Sequence, residues 1–548
     1  MNLPEEQPRW PLDAATRPRQ LSVPQVVLTL LAGGAQAASM AWPLALPNPL
    51  AQLTGLQQGQ PVWWLQLLAL AWLARLLSHN ANWRRAALFG WLFGSAWLVG
   101  TVGWIYIAMH TYGGLPAPLA ALAVLAFAGL LALFYAAAAG FFVRLVPLDR
   151  AWQALLFAAL WLLAELARGT WLTGFGWGAS GYAHVDGPLA GFAPWLGVYG
   201  LSAIAAWLAM TLVQMGHRVP DSERRGRAGA LLIAVALLLV PWLLQRHTPG
   251  ASDPALSSPS LSVSLLQGNI PQDEKFETGS GVPLALHWYA EQLQASRTSL
   301  VIAPETALAL LPQQLPKGYW DALQQRFGSG TQAALIGIPL GNYQQGYTNS
   351  ILGLQPGQTQ AWRYDKQHLV PFGEFIPPLF KWFTAMMNIP LGDFNRGGLR
   401  QAPFVWQGQR LATNICYEDL FGEELASNFL NPAQAPTIFV NISNLAWFGN
   451  SLAMDQHLQI ARMRALEFDR PFLLATNTGA TAIVDHRARV TRALARDTRA
   501  VLVGEVEGRK TLTAYAWWVA RLGLWPFWLL ALSLVWRALR LKPRKISA

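Results

Sequence analysis

Long apolar segments alternate with short polar loops through the first 250 residues of the chain. Apolar runs of about 17 to 25 residues are typical of helices that cross a membrane. Seven such runs precede residue 250, and an eighth lies near the carboxyl end. They cover residues 25–45, 61–77, 86–109, 116–143, 151–167, 199–216, 228–245 and 516–536. The pattern predicts a polytopic α-helical membrane bundle with eight spans.

The region 246–514 has a different pattern, because its apolar segments are short and separated by polar residues. A Pro/Ser-rich linker at 248–260 opens it, and the alternation of Leu261, Val263 and Leu265 is typical of a strand. Other short β-rich runs alternate with helix-like stretches, which are 283–297, 317–327 and 453–468. Strands that alternate with helices predict a layered α/β domain.

The basic residues are concentrated in every second loop. Only 13% of the 548 residues are charged, against roughly 25% in soluble proteins. Arginines and lysines flank the bundle at both ends and fill the loops between spans two and three, four and five, and six and seven, whereas 46–60 and 110–115 carry none. Basic loops mark the cytoplasmic side. Membrane topology thus explains the net charge of +11, and nucleic-acid binding loses its support.

This topology divides the chain into four parts. They are a cytoplasmic tail at 1–24, a membrane domain of seven spans at 25–245, an exported domain at 246–514, and the eighth span with its basic cytoplasmic tail at 515–548. The first span is too long for a cleaved signal peptide and lacks a small-residue cleavage site, so we interpret it as a signal anchor.

Cys416, in "TNICYEDLFG", is the only cysteine of the chain. A free cysteine is often just a small core hydrophobe. An exported domain faces an oxidising compartment, however, where a lone cysteine is a candidate reactive thiol. Glu418 and Asp419 follow it, and their charges would raise the pKa of the thiol. Either a cation lies nearby, or these acids point elsewhere.

Three reactive side chains stand at the ends of β-rich runs: Glu305, Lys366 and Cys416. Ligand crevices in open α/β sheets form beyond the carboxyl ends of strands, so the three could converge. A desolvated carboxylate can deprotonate a thiol, and an ammonium can stabilise a developing oxyanion. When each residue is considered alone, Glu305 could instead cap a helix and Lys366 could be an ordinary surface lysine.

The sequences around these residues resemble a known superfamily. "APETA" (303–307), "YDKQHLVPFGEFIP" (364–377) and "NICYEDLFG" (414–422) are similar to the nitrilase, or carbon–nitrogen hydrolase, superfamily with its Glu-Lys-Cys triad. "HLVPFGE", together with the flanking spans, resembles the apolipoprotein N-acyltransferase family of the bacterial inner membrane. The resemblance covers essentially the whole chain and implies an αββα sandwich for the exported domain.

The resemblance also implies roles for single residues. Glu305 matches the general base, Lys366 the oxyanion-stabilising lysine and Cys416 the nucleophile. Further substrate-binding or supporting positions fall on Glu374, Tyr417, Glu418, Phe276 and Trp447. The chain departs from the family pattern at Leu445, where an aspartate is expected, and at Phe276, where a tryptophan is expected. Neither departure touches the triad.

The implied reaction is transfer of an acyl chain from a phospholipid, typically phosphatidylethanolamine, to Cys416 as a thioester. The chain then passes to the N-terminal amine of a diacylglyceryl-cysteine lipoprotein. The implied partners are the phospholipid, the apolipoprotein and the bilayer, with a monomeric enzyme in the inner membrane, its catalytic domain in the periplasm and both termini in the cytoplasm. We expect no cofactor, since "GFGWG" (174–178) is only a weak match to a phosphate-binding loop, and no metal, since no HExxH motif occurs.

Two other functions stay open. A membrane-tethered amidase would pass the acyl group to water, and the triad alone does not distinguish it from a transferase. A transporter with an exported sensing domain would need charged residues inside its spans, where only Glu165 and Arg75 stand out. The apolar stretch 376–392 predicts either a membrane-facing arm that admits acyl chains or a buried core helix.

Overall fold

A computed structural model describes residues 22–146, 150–215, 224–247, 257–376 and 394–541. Its amino-terminal part is a bundle of apolar helices. Their bounds are Val23–Met40, Asn48–Thr54, Trp63–Ser78, Trp83–Val102, Ala117–Leu131, Leu133–Leu145, Arg150–Thr170, Ala193–Met215 and Arg224–His247. Each of the first seven predicted spans coincides with one of these helices or with a pair of them.

Five helices of the described chain are long and apolar enough to cross a membrane: Val23–Met40, Trp83–Val102, Ala117–Leu145, Arg150–Thr173 and Pro188–Met215. The apolar helices Trp63–Ser78 and Ala228–Pro241 are shorter. A sixth candidate is the pair Ala514–Leu522 and Trp525–Leu541, bent by 85°. Gly523 takes a positive φ of 56° at this bend, so the run 516–536 is broken rather than continuous. The count of eight spans stays a prediction.

Glycines let the membrane helices approach closely. A Cβ on Gly33 would lie 2.4 Å from the carbonyl oxygen of Phe93, and one on Gly90 would lie 2.6 Å from that of Tyr135. Small residues at such crossings permit tight helix packing in membranes. Aromatic rings fill the space between the helices, where Trp97 and Trp161 stack with their centroids 5.7 Å apart.

The described residues of the carboxyl-terminal part form twelve strands. They are β1 Ser257–Gln267, β2 Leu300–Ile302, β3 Ala333–Asn342, β4 Gly346–Leu354, β5 Trp362–Asp365, β6 Phe404–Trp406, β7 Gln409–Ile415, β8 Ile438–Ser443, β9 Phe472–Thr476, β10 Ala482–Val484, β11 Val490–Ala493 and β12 Ala500–Arg509. One six-stranded sheet has the order β12-β1-β2-β3-β4-β5, and the other has the order β11-β10-β9-β8-β7-β6. The central neighbours β1-β2-β3 and β7-β8-β9 are parallel.

The two sheets pack face to face, with helices outside both. Leu261, Val263 and Leu265 of β1 share a buried core with Ile415 of β7 and Val440 of β8, so the alternation read from the sequence marks the inner face. The outer helices are Gly281–Ala295 and Tyr319–Gly328 on the first sheet and Leu452–Phe468 on the second. The predicted layered α/β domain is therefore confirmed. Strands β6, β10 and β11, of three or four residues each, were not predicted.

The helix Leu452–Phe468 connects the two parts of the molecule. Its Ile460 and Met463 lie in one buried cluster with Tyr199 and Leu201 of the bundle. On its other side, Ala461 and Ala465 pack against the second sheet. The membrane bundle and the α/β domain thus share an apolar core.

Candidate active site

The three predicted reactive side chains follow the ends of three strands. Glu305 lies just after β2, Lys366 directly after β5 and Cys416 directly after β7. Nζ of Lys366 is 3.4 Å from Oε1 of Glu305. Burial raises the pKa of the Cys416 thiol, the charge of Glu305 raises it further, and Lys366 partly offsets both. Lys366 and Glu305 therefore meet in the fold, and Cys416 lies near enough for both charges to act on its thiol.

Hydrogen bonds hold the carboxylate of Glu305 in one orientation. Nδ2 of Asn349 donates to Oε1 at 2.7 Å, and the backbone N–H of Asn444 donates to Oε2 at 2.9 Å. Nζ of the buried Lys275 donates to the backbone carbonyl of Glu305 at 3.0 Å. A carboxylate fixed in this way is preorganised to accept a proton from a neighbouring thiol.

Glu374 holds Lys366. Nζ of Lys366 is 2.9 Å from Oε1 of Glu374, which also accepts from Asn349 at 2.8 Å. Oε2 of Glu374 accepts from the backbone N–H of Val370 at 2.9 Å, which closes the intervening loop. Burial lowers the pKa of Lys366, but the carboxylates of Glu374 and Glu305 outweigh this and raise the pKa above its ordinary value. The lysine is therefore a fixed cation.

Cys416 begins a sharp turn, the short 3₁₀ segment Cys416–Leu420. Its φ of 53° is left-handed, which is uncommon for a residue with a side chain and stores strain where it occurs. The carbonyl of Cys416 accepts from Nδ2 of Asn441 at 2.9 Å. Strained backbone of this kind is concentrated at functional sites.

The two acids after the cysteine are each held by partners of their own. Glu418 accepts from the backbone N–H of Ile415 at 2.6 Å, from the hydroxyl of Tyr364 at 2.8 Å and from the backbone N–H groups of Gln367 and His368 at 2.6 and 3.0 Å. Burial raises its pKa to about 7.

Asp419 pairs with a histidine. Its Oδ2 lies 3.0 Å from Nε2 of His457, and both side chains are fully buried. The sequence left two possibilities, a nearby cation or acids that point elsewhere; Lys366 is the nearby cation, and both acids have other partners.

The remaining predicted site residues fall into two groups. Tyr417 is buried, and its hydroxyl donates to the carbonyl of Gly174 in the membrane domain at 2.9 Å. Phe276 and Trp447 are exposed, and Trp447 meets the ring of Tyr112 edge-on at 5.8 Å. Leu445 is fully buried, so an apolar side chain fills the position where an acid was expected.

Sequence reasoning missed several polar residues around the triad. Lys275, Asn349 and Asn444 all bond to Glu305. One available signal was the run of three polar residues from Thr348 to Ser350 inside the strand β4. The predicted arm at 376–392 lies outside the described residues, apart from Ile376, and stays a prediction.

The facing sheets and the strand-end site define a class of protein. Residues 262–515 match the Carbon-nitrogen hydrolase family, and residues 51–211 match the Apolipoprotein N-acyltransferase N-terminal domain. The Apolipoprotein N-acyltransferase of Verminephrobacter eiseniae is 57% identical and covers 91% of this chain and 93% of its own length. That of Ralstonia nicotianae is 45% identical and covers 88% and 92%. The chain belongs to the apolipoprotein N-acyltransferase family.

Proposed function

We propose that this protein acylates the N-terminal amine of lipoproteins, with Cys416 as nucleophile, Glu305 as general base and Lys366 as the oxyanion-stabilising cation. The observation that carries the proposal is the buried Lys366–Glu305 pair, 3.4 Å apart, beside the strained turn of Cys416. Family membership supports acyl transfer as the reaction class.

The first half-reaction loads the enzyme. Glu305 takes the proton of the thiol, and the thiolate attacks an ester carbonyl of a phospholipid, which we take to be phosphatidylethanolamine. Lys366 stabilises the resulting oxyanion. When the intermediate collapses, the C–O bond breaks, the lysophospholipid leaves with the proton from Glu305, and the acyl chain stays on Cys416 as a thioester. A base is needed because burial raises the pKa of the thiol.

The second half-reaction transfers the acyl chain from Cys416 to the acceptor. The free α-amine of a diacylglyceryl-cysteine attacks the thioester, Glu305 accepts the amine proton, and this proton returns to the departing thiolate. The product amide is more stable than the thioester and the original ester, so the second step drives the first. This order needs neither nucleotide nor metal.

The supporting residues have separate tasks in this scheme. Glu374 positions Lys366, to which it is hydrogen-bonded at 2.9 Å. Glu418 and Tyr417 hold the two sides of the nucleophile turn through Tyr364 and Gly174. The exposed rings of Phe276 and Trp447 offer apolar surface to the lipid substrates.

The proposed setting is the bacterial inner membrane. Eight spans place both termini in the cytoplasm and the monomer's catalytic domain, residues 246–514, in the periplasm, as the alternating basic loops indicate. Tyr417 and Leu420 share a core with the bundle, which supports a membrane lipid as donor and argues against an amidase that merely carries an anchor.

Intact-protein mass spectrometry of the enzyme in phospholipid bilayers tests the chemistry. The wild type should gain an acyl mass, whereas Cys416→Ala and Glu305→Gln should not, and Lys366→Ala should lose roughly 10²–10³ in acylation rate. Glu291→Gln, an exposed acid on an outer helix, is the control and should acylate normally. Normal acylation of Lys366→Ala would remove the lysine from the mechanism. Release of free fatty acid in place of transfer to an added lipopeptide amine would favour the amidase.

A further inference from the structure

The glycine-rich segment Gly174–Gly178 of the membrane domain lies directly behind the nucleophile turn. The carbonyl of Gly174 accepts a 2.9 Å hydrogen bond from the hydroxyl of Tyr417. The ring of Trp177 lies nearly parallel to that of His457, with an angle of 17° and centroids 6.2 Å apart. The segment therefore supports the α/β domain at two points close to Cys416.

Arg168 fixes the backbone of this segment. Its Nη1 donates to the carbonyls of Phe175 and Trp177, at 2.7 Å each, and its Nε donates to the hydroxyl of Tyr135 at 2.9 Å. The arginine is buried, so these bonds are protected from water. Arg168 of the membrane bundle thus fixes the backbone that carries Trp177, while the indole N–H reaches across to the α/β domain.

His457 links that indole to the nucleophile turn. Its Nε2 lies 3.0 Å from Oδ2 of Asp419, which belongs to the same short turn as Cys416. Burial by itself lowers the pKa of His457, but Asp419 and the backbone of Cys416 outweigh it and raise the pKa. One face of the imidazole therefore meets the membrane domain, while its edge meets the turn.

The residues beside His457 on the same helix are also tied to the bundle. Oε1 of Gln456 accepts from the indole N–H groups of Trp104 and Trp177 at 3.0 and 2.8 Å. Nε2 of Gln459 donates to the carbonyl of Gly59 at 2.8 Å. Contacts with the bundle thus fix the position of this helix, and with it the position of the imidazole.

We infer that His457 is a positioning residue for Cys416. Its imidazole transmits the geometry of Trp177 in the membrane domain, through Asp419, to the strained turn that carries the thiol. The inference rests on the proposed function, since it takes Cys416 as the reacting group. It predicts that loss of the imidazole slows the reaction of the Cys416 thiol without changing how tightly phospholipid binds.

The test compares His457→Ala and His457→Gln in the full chain in phosphatidylethanolamine bilayers. We would measure the single-turnover acylation rate against lipid concentration, the rate of Cys416 alkylation by iodoacetamide, and the melting temperature. His457→Ala should acylate about 10- to 100-fold more slowly, the loss expected when one partner of a close buried charge pair is removed, at an unchanged half-saturating lipid concentration. His457→Gln keeps a polar N–H group beside Asp419 and should recover most of the rate.

His184→Gln is the matched control. His184 is also fully buried, but its ring contacts Gln66 at 3.1 Å and lies in the membrane domain. It should acylate and alkylate at close to the wild-type rate. A wild-type rate in His457→Ala overturns the inference, as does an equal loss in His457→Ala, His457→Gln and His184→Gln, which would indicate general destabilisation.

Asp419→Asn decides the matter if His457→Ala does not fold. The charge of Asp419 raises the pKa of Cys416, so its removal alone would speed alkylation. Slower alkylation of Cys416 in Asp419→Asn therefore reports lost positioning, and a faster or unchanged alkylation rate overturns the inference. If the wild type never gains an acyl mass, the proposed acyl-enzyme is wrong, and the alkylation rates by themselves decide the role of His457.

Discussion

Nζ of Lys366 donates a 2.9 Å hydrogen bond to Oε1 of Glu374 in the buried centre of the site. The same nitrogen is 3.4 Å from Glu305, so Glu374 is its closer partner. This division suits the proposed chemistry, because Glu374 can hold the charge of the lysine while Glu305 remains able to accept a proton.

Glu374→Gln tests that division. The amide keeps the size of the side chain but removes the charge that Lys366 faces, so the lysine should lose its fixed position. We expect the acylation rate to fall about 10- to 100-fold, in line with the loss of a charge-assisted hydrogen bond, with little change in melting temperature. Rapid-quench acylation assays would measure it, with Glu291→Gln as the surface control. Full turnover in Glu374→Gln would reduce Glu374 to an ordinary loop acid.

Lys275 predicts a pH dependence of stability. Burial lowers its pKa to about 8, whereas the unfolded chain keeps an ordinary lysine near 10.5. Between these values the unfolded state holds the proton and the folded state does not, so stability rises with pH. The free energy of unfolding of the wild type should therefore rise by about 3 kcal/mol relative to that of Lys275→Met between about pH 8 and about pH 10.5. The melting temperature of the wild type should rise with it. A difference that does not change with pH would contradict the lowered pKa.

Adjacent glycines in the first membrane helix offer a matched pair. A Cβ at Gly33 would lie 2.4 Å from the carbonyl of Phe93, whereas one at Gly34 would have no neighbour within 4 Å. Gly33→Ala should force the helices apart and cost about 1–3 kcal/mol. Gly34→Ala should be neutral or stabilising by up to about 1 kcal/mol, since alanine favours helix. Thermal melting in detergent would show this, and equal melting temperatures for the two variants would argue against this helix contact.

The topology can be tested with a reporter that is active only in the cytoplasm. Fused near residue 252, at the start of the predicted exported domain, it should be silent, because the basic loops lie on the opposite side. A fusion near residue 221, in the basic loop between the sixth and seventh predicted spans, is the control and should be active. Strong activity at residue 252 would reverse the orientation.

Local pattern was enough to predict much of the fold. The apolar runs matched helices, and the alternation at Leu261, Val263 and Leu265 matched the inner face of β1. The reason is that burial of one face of a helix or strand repeats with the period of that element. Very short elements such as β10 were not predicted, and neither was the bend at Gly523, since neither leaves a periodic signal.

The sequence by itself determined the candidate reactive groups, because Glu305, Lys366 and Cys416 stand at strand ends in motifs that resemble a known superfamily. Only the tertiary structure decided their partners. Asn444 bonds to Glu305 across 139 positions of the chain, and Val198 of the bundle bonds to Glu467 across 269. No local pattern specifies such pairs, because a hydrogen bond depends on a few tenths of an ångström between groups that only the packed sheets and helices bring together.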